Sequence, residues 1–169
     1  MIQKTMEINA MAHFWTVKAF LPDMIKVNHG HVVTIASAAG VLGVNGLADY
    51  CASKFAAVGF DESLRFELEV LGKDQVHTTV VCPFYISTGM FEGVKVRFPS
   101  LLPVLQPEYV AEKIMDAIRC NRQVLYLPRL LYLILGLKAY LPTKCLAVIC
   151  NFFGASNLMD SFVGRQKEE

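Results

Sequence analysis

The 169-residue chain is short of charge. Lys, Arg, Asp and Glu supply 18% of it, where a soluble domain carries about 25%. The two signs almost cancel, 16 basic against 15 acidic, leaving a formal net charge of +1. A nucleic-acid footprint needs clustered basic charge, so no nucleic-acid partner is expected. The polarity of a disordered chain is missing as well: 54% of residues are hydrophobic and mean hydropathy is +0.40, which implies a packed core. The opening stretch Met1 to Ala12 carries Lys4 and Glu7 and has no apolar run of signal-peptide type. No uncharged apolar run reaches the roughly 18 residues of a membrane span. The nearest candidate, Cys145 to Met159, contains Asn151, Gly154, Ser156 and Asn157. Five cysteines (Cys51, Cys82, Cys120, Cys145 and Cys150) form no dense framework, so reduced thiols in a reducing compartment are expected. The Cys145–Cys150 spacing fits no zinc pattern. His29-Gly-His31 flanks a turn with no further ligand at metal spacing, so no metal site is expected.

What is present alternates in period. Met1 to Lys26 carries Ile8, Met11, Ala12, Trp15 and Ala19 at helical spacing, with Pro22 expected to end or bend that helix. Asn28 to Gly30 reads as a turn. His31 to Ala36 is a β-branched run and reads as a buried strand. Ser37 to Asn45 is small and Gly-rich, a loop. A second helix is expected over about Asp49 to Leu71, stopped by Gly72. A second strand is expected over Val76 to Cys82, then a long loop over Phe84 to Gln106. Pro107 opens a third helix to about Cys120, Gln123 to Leu127 is a third strand, and a Leu/Tyr-rich helix or helix pair follows, broken at Pro142. The charged tail from Arg165 onward is expected to fray. Alternation of this kind predicts an α/β layer fold with a parallel sheet. Three strands are thin for such a sheet. The pattern reads as the C-terminal portion of a Rossmann-like doubly wound sheet, entered at a helix.

The chemistry concentrates in Tyr50-Cys-Ala-Ser-Lys54, with Ser37 thirteen residues earlier. Tyr50 and Lys54 share a helix face. Ser37 ends a strand, where a side chain reaches the crevice beyond the carboxyl edge of a sheet. A lysine ammonium beside a phenol favours the phenolate, which brings a group of pKa near 10 toward acid–base work. Ser37 can hydrogen-bond the same substrate oxygen. The same spacing also occurs on ordinary solvated helix turns.

The longer string Val32-Val-Thr-Ile-Ala-Ser37-Ala-Ala-Gly40, followed by Tyr50-x-x-x-Lys54, resembles the short-chain dehydrogenase/reductase family, and its retinol dehydrogenase branch in particular. Asn9 in Met6-Glu-Ile-Asn-Ala10 matches the family's helical active-site asparagine, and Phe20-Leu-Pro-Asp-Met24 the end of that helix. Cys82-Pro83 through Ile86-Ser-Thr88 resembles the segment after the family's sixth strand. The resemblance spans nearly the whole chain. It implies that Tyr50 exchanges a proton with the substrate oxygen and that Ser37 positions that oxygen. Lys54 would lower the Tyr50 pKa and hold the nicotinamide ribose, and Asn9 would hold a water linking Lys54 to solvent. Pro83, Ile86 and Thr88 would bind the nicotinamide end of NAD or NADP.

Two departures from the family pattern stand out. Phe84 follows Pro83 where the family has glycine, crowding a wall where a backbone usually approaches the cofactor. The Thr-Gly-x-x-x-Gly-x-Gly turn that seats the pyrophosphate and the Asn-Asn-Ala-Gly segment do not occur among the 169 residues. The expectation is therefore an N-terminally truncated chain, with residues 1–127 a partial dehydrogenase domain holding the active-site half and residues 128–169 apolar C-terminal helices. Such a chain is expected to bind cofactor poorly and to be inactive, with an exposed strand edge prone to aggregation.

The loop after Pro83 carries Met90, Phe91, Val94, Val96, Phe98, Leu101, Leu102, Val104 and Leu105. In the resembled family this region covers the substrate, which implies a retinoid, steroid or long-chain alcohol; ordinary packing accounts for the same residues. Leu125 to Phe153 intersperses Arg129, Lys138 and Lys144 among apolar residues, a pattern that suits a membrane interface and equally a core or dimer helix. The family resemblance implies a homodimer through the first two helices when complete, and a place at the endoplasmic reticulum membrane or a lipid droplet on the cytosolic, reducing side. The resulting expectation is an oxidoreductase interconverting an apolar alcohol and its carbonyl, retinol and retinal above all, with NAD or NADP. The alternative is a non-enzymatic truncated form that acts as a membrane-associated or dimerising partner.

Overall fold

The computed structural model of the chain describes residues 1–90 and 96–154. Within the loop, Phe91 and Val94 lie outside the described residues, as does the charged tail. The chain opens on one continuous helical rod: α1 (Ile2–Met6), a π-helical turn (Glu7–Met11) and α2 (Ala12–Val27). Pro22 does not end this rod, which runs five residues further. Proline costs a backbone hydrogen bond there. Its ring lies on the exposed side, while Leu21, Met24 and Ile25 pack with Leu64, Leu68 and Val76. Burial of such side chains is worth roughly 1.5–3 kcal/mol each when complete, enough to carry the helix past the proline. The stop is Asn28, left-handed at φ 48°, whose neighbour His29 donates its N–H back to the Met24 carbonyl.

Strand β1 (Gly30–Ile35) follows, then a 3₁₀ turn (Ala38–Gly40), helix α3 (Ala48–Val70) and strand β2 (Val76–Pro83). Helix α4 (Pro107–Arg119), strand β3 (Val124–Leu127) and helices α5 (Leu130–Tyr140) and α6 (Thr143–Phe152) complete the order. The sheet is parallel throughout, in the order β1-β2-β3, with Gly30 opposite Val76 and Val80 opposite Val124. The α/β alternation is therefore realised as a parallel sheet, as its period predicted.

Helices α2 and α3 cover one face of the sheet through Val32, Val76, Val80 and Cys82. Helix α4 covers the other through Val81, Leu125 and Leu127, with Val110 and Ala117 on the helix side. The central strand β2 is buried at nearly every position, which explains its near-continuous Val/Thr composition. Its two buried threonines are satisfied: Thr78 donates to Asp61, and Thr79 to the Arg122 carbonyl. Among the described residues β1 pairs with β2 alone, and Ile35 remains 47% exposed on the α4 side of the sheet. His31 bonds Thr79 at 2.8 Å and lies 5.8 Å from the His77 ring, so it is occupied within the sheet.

Helices α5 and α6 fold back over the carboxyl end of the sheet. Leu131 joins Ala38 and Leu102 in one apolar cluster, with Phe153 packed against it. No described helix is long and apolar enough to cross a membrane.

Candidate active site

The site lies where β1 ends. Ser37 is extended (φ −172°, ψ 161°) and caps the 3₁₀ turn, its Oγ accepting the Ala39 N–H at 3.1 Å. That turn is pressed onto α3. A Cβ placed on Gly40 would stand 2.6 Å from the Lys54 carbonyl oxygen, so only glycine allows the Ser37 turn to approach the helix this closely. Tyr50 lies in the first turn of α3 and Lys54 one turn later. The Lys54 Nζ donates to the Ile35 carbonyl at 3.0 Å and stands 5.9 Å from the Tyr50 ring centroid. The fold thus brings Ser37, Tyr50 and Lys54 to one place at the carboxyl end of β1.

Burial decides the electrostatics. It raises the Tyr50 pKa, partly countered by a hydrogen bond with the Ser37 side chain and reinforced by Cys51. It lowers the Lys54 pKa, with Cys82 acting the other way. The expected depression of the Tyr50 pKa by Lys54 is therefore not what this arrangement produces. The ammonium donates to the strand carbonyl, and desolvation of the phenol prevails. Cys82 and Tyr85, buried nearby, are each pushed up to about 12 by burial. At neutral pH the site therefore holds a protonated phenol.

Asn9 sits in the π-helical turn, a form that often marks functional positions. Its Nδ2 donates to Ser53 Oγ at 3.1 Å, and Ser53 donates to the Tyr50 carbonyl at 2.7 Å. Ser53 is fully buried. Asn9 thus reaches Tyr50 through Ser53 and the backbone, whereas Lys54 is held by β1. Thr5 adds a second tie, donating to Asp49 at 3.3 Å.

The segment after β2 places Pro83 buried, Ile86 half-buried and Thr88 exposed at the carboxyl end of the neighbouring strand. Ile86 forms a parallel bridge with Leu105, and the Thr88 N–H donates to the Ile86 carbonyl. The donor set of Tyr50, Lys54 and Thr88 at the ends of two adjacent parallel strands suits the ribose and carboxamide end of a dinucleotide. Phe84 stacks edge-on against Tyr85 with centroids 4.6 Å apart and lines an apolar pocket.

That pocket opens beside the two hydroxyls. Its walls include Ser37, Tyr50, Leu42, Phe84, Leu131 and Phe153. It has the character of a small-molecule site: apolar walls and a few convergent polar groups. Of the proposed lid, Val96 and Leu102 line it.

A family model described as short chain dehydrogenase matches residues 1–97. The chain belongs to the short-chain dehydrogenase family. It is 51% identical over 168 residues to human epidermal retinol dehydrogenase 2, covering 99% of this chain and 54% of that protein. It is 44% identical over 170 residues to rat retinol dehydrogenase 10, covering 99% of this chain and 50% of that one. This short-chain dehydrogenase therefore spans about half the length of the curated relatives it matches. A short chain dehydrogenase from Burkholderia cenocepacia, solved in complex with NADP, superposes with a TM-score of 0.71 at 21% identity over 89% of this chain and 58% of that one. At that identity the likeness speaks for the fold, and it agrees with the parallel three-stranded arrangement.

Sequence reading of this short-chain dehydrogenase missed five contributors. Ser53 gives no signal beyond a small polar residue on a helix. The pocket-lining role of Tyr85 was hidden in a loop without periodicity. Leu131, Ile134 and Ile149 were legible as apolar helix positions, but not as walls of this pocket.

Proposed function

We propose that the chain carries the active-site half of an NAD(P)-dependent oxidoreductase interconverting an apolar alcohol and its carbonyl, with retinol and retinal the leading pair. The observation that carries this reading is the pairing of Ser37 and Tyr50 hydroxyls at one end of an otherwise apolar pocket. A retinoid offers one oxygen and a long hydrocarbon body, which matches two hydroxyls and apolar walls. The names of the relatives, both retinol dehydrogenases, support the same substrate class.

The nicotinamide cofactor supplies or accepts the hydride. The chain's residues do the rest. Ser37 orients the substrate oxygen. Tyr50 holds the proton at its phenol oxygen and delivers it to a carbonyl oxygen, the role its raised pKa suits. Alcohol oxidation needs the phenolate, so positive charge brought beside Tyr50 favours that direction. Lys54, anchored at Ile35, would hold the ribose, and Pro83, Ile86 and Thr88 would hold the carboxamide end. Asn9, through Ser53, holds the first turn of α3 in place; a water between Asn9 and Lys54 would complete the relay that the family resemblance implies.

Two surfaces complete the proposal. Helices α5 and α6 expose Leu133, Leu137, Tyr140 and Val148, with Arg129 and Lys144 and no acidic residue from Leu125 to Gly154. This composition suits an anionic membrane interface, at the endoplasmic reticulum or a lipid droplet. The α2–α3 face, with Phe14, Trp15 and Phe20 exposed, suits a second copy of the chain. A second reading, a non-enzymatic membrane-associated or dimerising partner, draws on these same exposed apolar faces.

Assay of the chain with all-trans-retinol and all-trans-retinal, with each of NAD(H) and NADP(H), separates the two readings. The enzyme reading expects turnover that Tyr50→Phe reduces by about 10²–10⁴-fold. No turnover and no saturable cofactor binding with either nucleotide would favour the partner reading.

A further inference from the structure

We propose that Lys138 is a positioning residue for the apolar pocket, clamping α5 to the turn that follows Ser37 and so setting the closed shape of the site. The inference rests on the reading of that pocket as the substrate site. Lys138 lies four residues after Ile134 and seven after Leu131, so all three share one face of α5. Leu131 and Ile134 line the pocket. The Lys138 ammonium donates to the Val41 carbonyl, bridging 97 residues of sequence. It also stands 5.3 Å from the ring centroid of Phe55 on α3.

Both partners belong to the site's own framework. Val41 follows the 3₁₀ turn directly, and its N–H and that of Leu42 are spent on the Ala38 carbonyl. Its own carbonyl points out to Lys138. Phe55 follows Lys54 on α3. The half-buried ammonium has no carboxylate among the described ion pairs. A lysine free to choose snorkels its charge into water; this one turns it to a backbone acceptor and an aromatic face.

The clamp adds direction to a contact that otherwise lacks it. Leu131 packs on Ala38 and Leu102, and apolar packing fixes proximity but little orientation. A charge-assisted hydrogen bond fixes both. Lys138 does not line the pocket, so it acts through the wall it holds. Loss of the clamp leaves Ser37 and Tyr50 intact and loosens the pocket around the hydrocarbon body. Retinoid affinity should fall while the chemical step, once substrate is bound, is spared.

The test compares the full chain with Lys138→Met, which keeps the stem and loses the donor, and Lys138→Arg, which keeps charge and donor. Hydrogen exchange reads the clamp and fluorescence titration with all-trans-retinol reads the pocket. In Lys138→Met the amides of Val41 and Leu42 should exchange about 10–100-fold faster, those of Val80 and Val81 in β2 should not change, and retinol affinity should fall about tenfold. Lys138→Arg should restore both. Unchanged exchange at Val41 and Leu42 overturns the proposal, as does equal acceleration in β2, which would mean general destabilisation. Faster exchange with unaltered retinol affinity overturns the pocket-setting role. If the unmodified chain binds no retinol, the substrate-site reading fails and the pocket-setting role fails with it; the exchange comparison then decides by itself whether the clamp exists.

Discussion

At Gly40 a single hydrogen atom stands where any other residue would place a methyl group 2.6 Å from the Lys54 carbonyl oxygen. Gly40→Ala should therefore push the Ser37 turn off α3, costing about 1–3 kcal/mol in urea unfolding and separating Ser37 from Tyr50. Retention of full stability and unchanged retinol binding would show that the turn has slack which the packing does not suggest. Asp61 makes a different prediction. Its carboxyl is fully buried between α3 and the sheet, 3.3 Å from the Thr78 hydroxyl and 3.9 Å from Arg65, and its Oδ1 has no hydrogen-bond partner. Burial raises its pKa, only partly countered by the Thr34 hydroxyl, Arg65 and the Thr78 hydroxyl. Because the folded value lies above the unfolded one, the folded chain keeps a proton that the unfolded chain has lost. Stability from this group is complete below the unfolded carboxylate pKa and declines as pH rises through the folded value. Asp61→Asn should thus raise the urea midpoint at pH 7 and give no gain near pH 3; a loss at pH 7 would mean that the Arg65 attraction outweighs burial.

The candidate site residues were legible because Ser37, Tyr50 and Lys54 fall in one string and Asn9 in a second; the structure places them at the end of β1 or against α3. Their protonation was not legible. A Tyr/Lys spacing of one helix turn says that the two groups are near. Only the fold shows that the Lys54 ammonium is drawn to the Ile35 carbonyl and that burial of Tyr50 prevails.

Among the elements, strands and helices followed hydrophobic period closely; β2 was legible as a strand from its Val/Thr composition, whereas β1, expected to be buried, is mostly half-buried with Ile35 exposed. Pro22 was misleading, since tertiary packing of its neighbours on Leu64 and Leu68 outweighs its local cost. The π-helical turn left no trace in the pattern. It delivers Asn9 to Ser53, so Asn9→Ala should leave Ser53 buried with one donor fewer, at a cost of about 1–3 kcal/mol. Thermal unfolding checks the stability. A fall in turnover that exceeds the fall in stability would mark Asn9 as part of the relay. Helices α5 and α6 carry the membrane prediction. Leu133→Glu with Val148→Glu, both on exposed positions, should abolish flotation of the chain with phosphatidylserine vesicles. Flotation that survives both changes would point to another surface.

Over the whole molecule, the sparse charge and positive mean hydropathy become intelligible. Much apolar surface lies outside the core: Trp15 is 61% exposed on α2, Ile35 lies open on β1, α5 presents Leu133 and Leu137 outward, and α6 presents Val148 and Phe152. A chain that met a second copy, a membrane and a hydrocarbon substrate, as proposed, would have a use for each of these faces. Whole-molecule topology was legible only as alternation; the fold-back of α5 and α6 over the Ser37 turn depends on Leu131 and Lys138 contacts spanning some 90 or more residues, which no local pattern encodes.

The central claim is that Ser37 and Tyr50 define a hydride-transfer site for an apolar carbonyl, and isotope transfer tests it most directly. All-trans-retinal would be incubated with the chain and reduced nicotinamide cofactor deuterated at C4, in turn on each face of the ring, and the retinol product read by mass spectrometry. The account predicts a single deuterium at the carbinol carbon with one of the two labelled faces, lost on Tyr50→Phe. Retinol without deuterium from either face, no retinol at all, or label transferred equally well by Tyr50→Phe would contradict it.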